Sequence, residues 1–159
     1  MYLKYILKLA QTHSPDKEKI MRLTRFSDYS LRVLIYLAVR EKRSSIAEVS
    51  RAFNVSENHL MKAVHRLATL GYVQSTRGKK GGIELGMDPQ KINLGKIIVE
   101  LEPDFHIAEC FNEASNTCRI SPVCQLKNVI DKANKDFLMA LAKYSLADIV
   151  KNRTQLVNL

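Results

Sequence analysis

Apolar positions along this chain recur mostly with helical period, separated by short polar breaks. Leu31, Leu34, Ile35, Leu37 and Ala38 predict a helix with a broad apolar face, capped by Ser27 and ending near Val39. Glu41-Lys42-Arg43-Ser44-Ser45 interrupts the pattern. Ile46 to Phe53 then reads as a short amphipathic helix behind a Ser45 cap, with Glu48 in its first turns and Asn54-Val55 as the turn that follows. Ser56 opens a second helix, in which Leu60, Met61, Val64, Leu67, Ala68 and Leu70 form the inward stripe. Asn58, His59, Lys62, His65 and Arg66 are left facing outward. Two short helices joined by a tight turn are the layout of a helix-turn-helix, whose second helix lies in the DNA major groove with its N-terminal part on base edges.

Gly71 ends that helix, and Tyr72-Val73-Gln74-Ser75-Thr76 reads as a β-branched strand returning through Ile83-Glu84-Leu85. The intervening tip, Arg77-Gly78-Lys79-Lys80-Gly81-Gly82, is basic and glycine-rich. A hairpin directly behind a recognition helix is a wing: the glycines let backbone approach phosphate, and Arg77, Lys79 and Lys80 supply charge. The expected DNA-facing set is therefore Ser45, Ser56, Glu57, Asn58, His59, Lys62, His65, Arg66, Arg77, Gly78, Lys79, Lys80, Gly81 and Gly82. Asn93 opens a further helix to about Glu102, with Leu94, Ile97, Ile98 and Leu101 on one face and Pro103-Asp104 as its stop. From about Val123 to Tyr144 a long helix carries Leu126, Val129, Ile130, Ala133, Phe137, Ala140, Leu141 and Tyr144 at steps of three and four. A stripe of that length near a chain end suits packing against a second copy, which predicts a homodimer.

The fold class expected is mainly α with a small β-hairpin: a winged helix-turn-helix with a long C-terminal dimerisation helix. Its parts are an N-terminal extension (1–20), a DNA-binding domain (21–102), a cysteine-rich loop (103–125), and the dimerisation helix with its tail (126–159). Composition agrees with a single folded unit. The chain has 159 residues, 46% hydrophobic and 26% charged, which excludes a disordered tail. No apolar run approaches the ~18 residues of a membrane span. Tyr2 to Ala10 is apolar, but Lys4 and Lys8 interrupt it, so no secretory h-region is expected and the location predicted is cytoplasmic.

Charge is unevenly placed. The formal net charge is +9, and residues 21–100 carry 14 basic against 7 acidic side chains, whereas residues 101–159 carry 7 of each. The basic part coincides with the helix-turn-helix and wing, as a polyanionic partner requires. No Gly-rich phosphate loop, HExxH or nucleophile motif occurs, so an enzyme is not expected.

The three cysteines form a separate constellation, Cys110-x7-Cys118-x5-Cys124, inside one stretch of 15 residues. An odd number so closely spaced is not a complete disulfide framework, and reduced thiols in such a cluster suit metal. Zinc usually takes CxxC pairs and a fourth ligand, which this spacing lacks. An iron–sulfur cluster also takes four ligands, the last coming from elsewhere in the chain or from a partner. Plain loop thiols, or a switch in which Cys118 and Cys124 close a disulfide beside Arg119, satisfy the same spacing.

Further segments make the pattern specific: Met21-Arg22-Leu23-Thr24-Arg25-Phe26-Ser27-Asp28-Tyr29, Ser56 to Lys62, His65-Arg66-Leu67, Leu70-Gly71-Tyr72-Val73, the glycine-flanked wing, and Asn116-Thr117-Cys118-Arg119-Ile120-Ser121-Pro122-Val123-Cys124. Together they resemble the NsrR-type, nitric-oxide-sensing branch of the family of winged-helix regulators that also includes IscR. The resemblance runs from residue 21 to 150 in order. It implies a homodimeric repressor that binds double-stranded operator DNA and carries an iron–sulfur cluster on Cys110, Cys118 and Cys124, with Asp28 of the other subunit as fourth ligand. A [4Fe–4S] cluster, one protein ligand per iron, is preferred, with [2Fe–2S] as the alternative. Asp28 also suits a helix N-terminus in its own right. IscR-type members carry a His three residues after the last cysteine, where this chain has Lys127, and His106 reads as an ordinary loop histidine. The alternative function is a regulator of the same fold that senses cluster supply, iron or thiol oxidation.

Overall fold

The computed structural model describes residues 22–78 and 81–156. The apolar segment at Tyr2–Ala10 with the turn behind it, the wing lysines Lys79 and Lys80, and residues 157–159 lie outside the described residues. Helix α1 spans Arg25–Arg40. Its cap is Thr24 rather than Ser27: the Thr24 hydroxyl accepts the Ser27 amide at 3.2 Å, and Ser27 lies inside the helix, fully buried. The expected cap is displaced because a small hydroxyl residue at that position packs into the core. The Thr24 amide in turn donates to Glu102 Oε1 at 2.9 Å, tying the start of α1 to a segment 78 residues away.

Helices α2 (Ile46–Phe53) and α3 (Glu57–Thr69) form the helix-turn-helix, joined through Asn54, whose φ of 50° is left-handed. Leu60, Ala63, Val64 and Leu67 are the buried positions of α3. Met61, expected in the inward stripe, is 48% exposed. At 100° per residue it lies a quarter turn off the Leu60–Val64–Leu67 row, and Ala63 fills the inward place instead. The core is centred on α1, where Val33, Leu34 and Leu37 meet Leu60, Val64 and Leu67, closed below by Ile83, Ile97 and Leu146.

Strands β1 (Val73–Thr76) and β2 (Gly82–Leu85) pair antiparallel with Val73 opposite Leu85 and Thr76 opposite Gly82. Ser44 adds a one-residue third strand, its amide donating to the Ile83 carbonyl at 2.9 Å and its carbonyl receiving the Ile83 amide at 2.8 Å. The wing is thereby attached at its base to the segment between α1 and α2, and an Arg43–Glu84 ion pair reinforces the joint.

Helix α4 (Leu94–Leu101) is capped by Asn93, and the long helix α5 (Gln125–Leu141) follows the cysteine loop. Beyond α5 the chain does not trail away. Leu146 is fully buried, its amide donates to the Ile92 carbonyl at 2.8 Å, and a Ser145–Asp148 capping box starts the short helix α6 (Leu146–Ile149), followed by α7 (Arg153–Leu156). The end of α5 crosses α4 at Gly95, where a Cβ would stand 2.8 Å from the Ala142 amide nitrogen and 2.9 Å from its Cα. Gly95→Ala is accordingly expected to cost about 1–3 kcal/mol by forcing the two helices apart, measured as a lower denaturation midpoint at unchanged m-value. Among the described residues no helix is long and apolar enough to cross a membrane.

Candidate nucleic-acid interface and cysteine loop

The residues expected to face DNA at the N-terminal part of α3 lie on its surface. Ser56, Glu57, Asn58, His59, Lys62 and His65 are all exposed. Ser56 caps α3 in position, but its hydroxyl makes no capping hydrogen bond. Ser45 is different. Its amide and hydroxyl both reach Glu48 Oε2, at 2.6 and 2.9 Å, and these bonds, the backbone one first, hold the Glu48 carboxyl below the usual carboxylate range. The His59 ring lies 5.9 Å from that of Tyr29, so the start of the recognition helix touches the first turn of α1.

Arg66, at the other end of α3, reaches the Glu100 carbonyl at 3.1 Å. The Glu100 carboxylate accepts the hydroxyl of buried Tyr72 at 2.5 Å, and burial, then that bond, push the Tyr72 hydroxyl well above its ordinary value. Arg66 and Tyr72 thus fasten the C-terminal end of α3 to α4. At the wing, Arg77 and Gly78 are exposed. Gly81 is required by the hairpin itself, because a Cβ there would lie 2.3 Å from the Thr76 carbonyl oxygen. Sequence reasoning passed over Arg40, Lys42 and Arg51, which with Tyr36, Glu48 and Ala52 line a concavity of about 390 Å³ beside α2. The local +7 balance pointed to that region without identifying them, because the three are brought together by the crossing of α1 and α2.

Between α4 and α5 the chain is a loop of single turns, including 3₁₀ turns at Glu109–Phe111 and Ser121–Val123. Cys110, Cys118 and Cys124 are free thiols, each half-buried. One carboxylate oxygen of Glu109 accepts both the amide and the hydroxyl of Thr117, at 2.5 and 2.6 Å, and these bonds keep the Glu109 carboxyl below its usual range. Asn112 and Asn116 accept the amides of Ala114 and Cys118 at 3.1 and 3.0 Å, each closing a turn of its own. Lys127 sits 6.0 Å from the centre of the Phe111 ring. His106 stands outside this arrangement, exposed and 3.7 Å from Asp104.

Three soft thiol donors on one loop are the donor chemistry of a thiolate-bound iron cluster, and in kind they fit it. Among the described residues no three His, Cys, Asp or Glu side chains stand together closely enough to hold a metal ion. The single chain therefore supplies donors without converging them. Asp28 lies in the first turn of α1, held by a two-pronged contact with Arg32: Nε to Oδ1 at 3.0 Å and Nη2 to Oδ2 at 2.8 Å. The Arg32 guanidinium lies 5.9 Å from the ring centres of both Tyr29 and Phe53.

Residues 23–152 match Rrf2, a family of iron-dependent transcriptional regulators. The chain belongs to the Rrf2 family. It is 48% identical over 141 residues to the HTH-type transcriptional regulator NsrR of Bacillus subtilis, covering 87% of this chain and 97% of that one. It is 45% identical to NsrR of Bacillus licheniformis, over 84% of this chain and 94% of that one. Among solved structures it resembles T. potens IscR (25% identity, TM-score 0.66, 83% of this chain and 88% of that one). It also resembles CymR, the global cysteine regulator of B. subtilis (27% identity, TM-score 0.62, 84% and 98%). Rrf2 membership bears out the winged-helix fold and the reading as a DNA-binding transcriptional regulator rather than an enzyme.

Proposed function

We propose that this Rrf2 protein is a homodimeric repressor that senses nitric oxide through an iron–sulfur cluster and releases operator DNA in response. The single observation that carries the reading is three free, half-buried thiols on the loop joining the winged helix to α5, in a chain 48% identical to a named NsrR. Cys110, Cys118 and Cys124 would hold the cluster from one subunit and Asp28 from the other. Bound there, a cluster supplies iron that reacts with a small diatomic gas.

The chain's own part is positional. Asp28 shares a helical turn with Tyr29, which touches His59 at the start of the recognition helix, and its partner Arg32 lies over Phe53 of α2. Any pull on Asp28 is thus felt by both helices of the DNA-binding unit. A metal bound at Asp28 would compete with Arg32 for the carboxylate oxygens, and a ligand acts through such a competition only by favouring one arrangement. The second copy is supported by α5, which buries none of its residues fully and leaves Leu126, Val129, Phe137 and Met139 exposed. Beside it, α1, α4 and α5 enclose an apolar groove of about 900 Å³ lined by Leu31, Ile35, Ile98, Phe137 and Leu141.

Anaerobic loading with iron and sulfide, followed by a nitric oxide titration against duplex binding, tests the reading. A coloured protein that loses DNA as nitric oxide is added is expected. DNA binding that follows thiol oxidation and ignores nitric oxide would assign the same fold to thiol sensing. Asp28→Ala is expected to leave folding intact and shorten cluster retention under a chelator about ten-fold; unchanged retention and an unchanged nitric oxide response would remove Asp28 from the ligand set.

A further inference from the structure

Resting on that reading, we infer that Glu109 is a positioning residue for the cluster-binding thiols: its clasp on Thr117 ties together the two residues that precede Cys110 and Cys118 before any metal arrives. The two ends of the clasp immediately precede the two cysteines, Glu109 before Cys110 and Thr117 before Cys118. A single oxygen receives two donors from Thr117, the amide at 2.5 Å and the hydroxyl at 2.6 Å, so residues eight apart in sequence are joined at one atom. This closes the seven-residue interval between the cysteines into a ring.

The rest of the ring is turned by local bonds. The Asn112 amide donates to the Glu109 carbonyl at 3.0 Å, the Ser115 amide to the Asn112 carbonyl at 3.2 Å, and the Cys118 amide to Asn116 Oδ1 at 3.0 Å. After the ring, the Ser121 amide donates to the Cys118 carbonyl at 3.1 Å, carrying the chain on toward Cys124. Each of these bonds spans two or three residues and shapes one turn. Of the bonds named, the Glu109–Thr117 clasp is the one that reaches across the ring, joining the positions next to the two thiols. Fixing ligand positions in the metal-free chain lowers the ordering cost of binding, the same logic by which groups behind metal ligands raise affinity.

The clasp makes a demand on chemistry as well as position. Amide and hydroxyl donors both suit a carboxylate oxygen, so Gln can still accept from them while Ala cannot. A hydroxyl at 117 is needed, but not the methyl, so Thr117→Ser retains the clasp and Thr117→Val keeps only its amide half.

The test uses the full chain with Cys124→Ser, metal-free and reduced, and phenylarsine oxide as the probe. The arsenical bridges two thiols: two S–H bonds give way to two S–As bonds, the oxygen leaves as water and arsenic stays trivalent. Affinity is expected to fall about ten-fold in Glu109→Ala, with a smaller fall in Thr117→Val and recovery toward the parent in Glu109→Gln and Thr117→Ser. Glu113→Ala, an exposed acid of the same loop, serves as the control and keeps the parent affinity. Equal affinity in the parent and Glu109→Ala overturns the clasp. With all three cysteines present, Glu109→Ala is also expected to shorten the half-life of cluster absorbance under a chelator. A chain that takes up no iron and sulfide would defeat the cluster reading alone, since the arsenical measurement decides the clasp without it.

Discussion

Leu60→Ala is expected to destabilise the protein by about 3 kcal/mol, within the 2–5 kcal/mol range of buried leucine truncations. Leu60 is completely buried in the cluster that also contains Leu34, Val49 and Leu67, so removing its branched end leaves a void between α1, α2 and α3. Met61 is the built-in comparison. One residue along the same helix but 48% exposed, it is expected to change stability by no more than ~0.5 kcal/mol as Met61→Ala. Urea unfolding of the two variants measures both. On the proposed function α3 is the helix that meets DNA, and one that loses its seat also loses its angle to the duplex, so Leu60→Ala should weaken duplex binding at temperatures well below its unfolding midpoint. Equal stability losses in the two variants would mean that α3 is rotated so that Met61, too, faces the core.

The second large effect belongs to the wing. Lys79→Ala combined with Lys80→Ala is expected to reduce the slope of log affinity against log salt by about 2 per protomer, near 0.9 for each phosphate that is no longer neutralised. The consequence is a tens-fold weaker affinity at low salt, a difference that shrinks as salt rises. A mixed-sequence duplex suffices, because phosphate contacts carry no sequence information. The wing base is held by Ser44 and by the Arg43–Glu84 pair, so shortening two tip side chains leaves the hairpin in place. An unaltered salt slope would place the tip away from the phosphates.

Much of the winged-helix half was legible because its determinants are local. Ser45 and Glu48 form the capping box that their spacing implies, Asn93 caps α4, and the Leu60–Val64–Leu67 row faces inward with helical period. Where a residue had two possible local roles, spacing was insufficient. Ser27 looks like a cap and is a core residue, because Thr24 three residues earlier takes the cap and is itself held by Glu102. Arg66 shares a face by periodicity with the residues expected to meet DNA, yet its guanidinium is engaged by the Glu100 carbonyl 34 residues away. Neither long-range partner leaves a mark on the local pattern.

The cysteine loop divides in the same way. The number of thiols and their spacing are properties of the sequence and need no structure. The Glu109–Thr117 clasp joins residues that show no periodic relation and appears only once the turns at Asn112 and Asn116 have folded the intervening chain.

By itself, then, the sequence determined the order of helices and hairpin, the basic character of the DNA-binding half and the thiol donor set, since each depends on neighbours within a few residues. The tertiary structure alone decided that the C-terminal end of α3 is fastened to α4 and how Asp28 is linked through Arg32 and Tyr29 to α3. It also decided that the chain beyond α5 returns to bury Leu146 in the core. Those features arise where helices cross, and the contacts at a crossing depend on distances between segments that no local pattern of residues encodes.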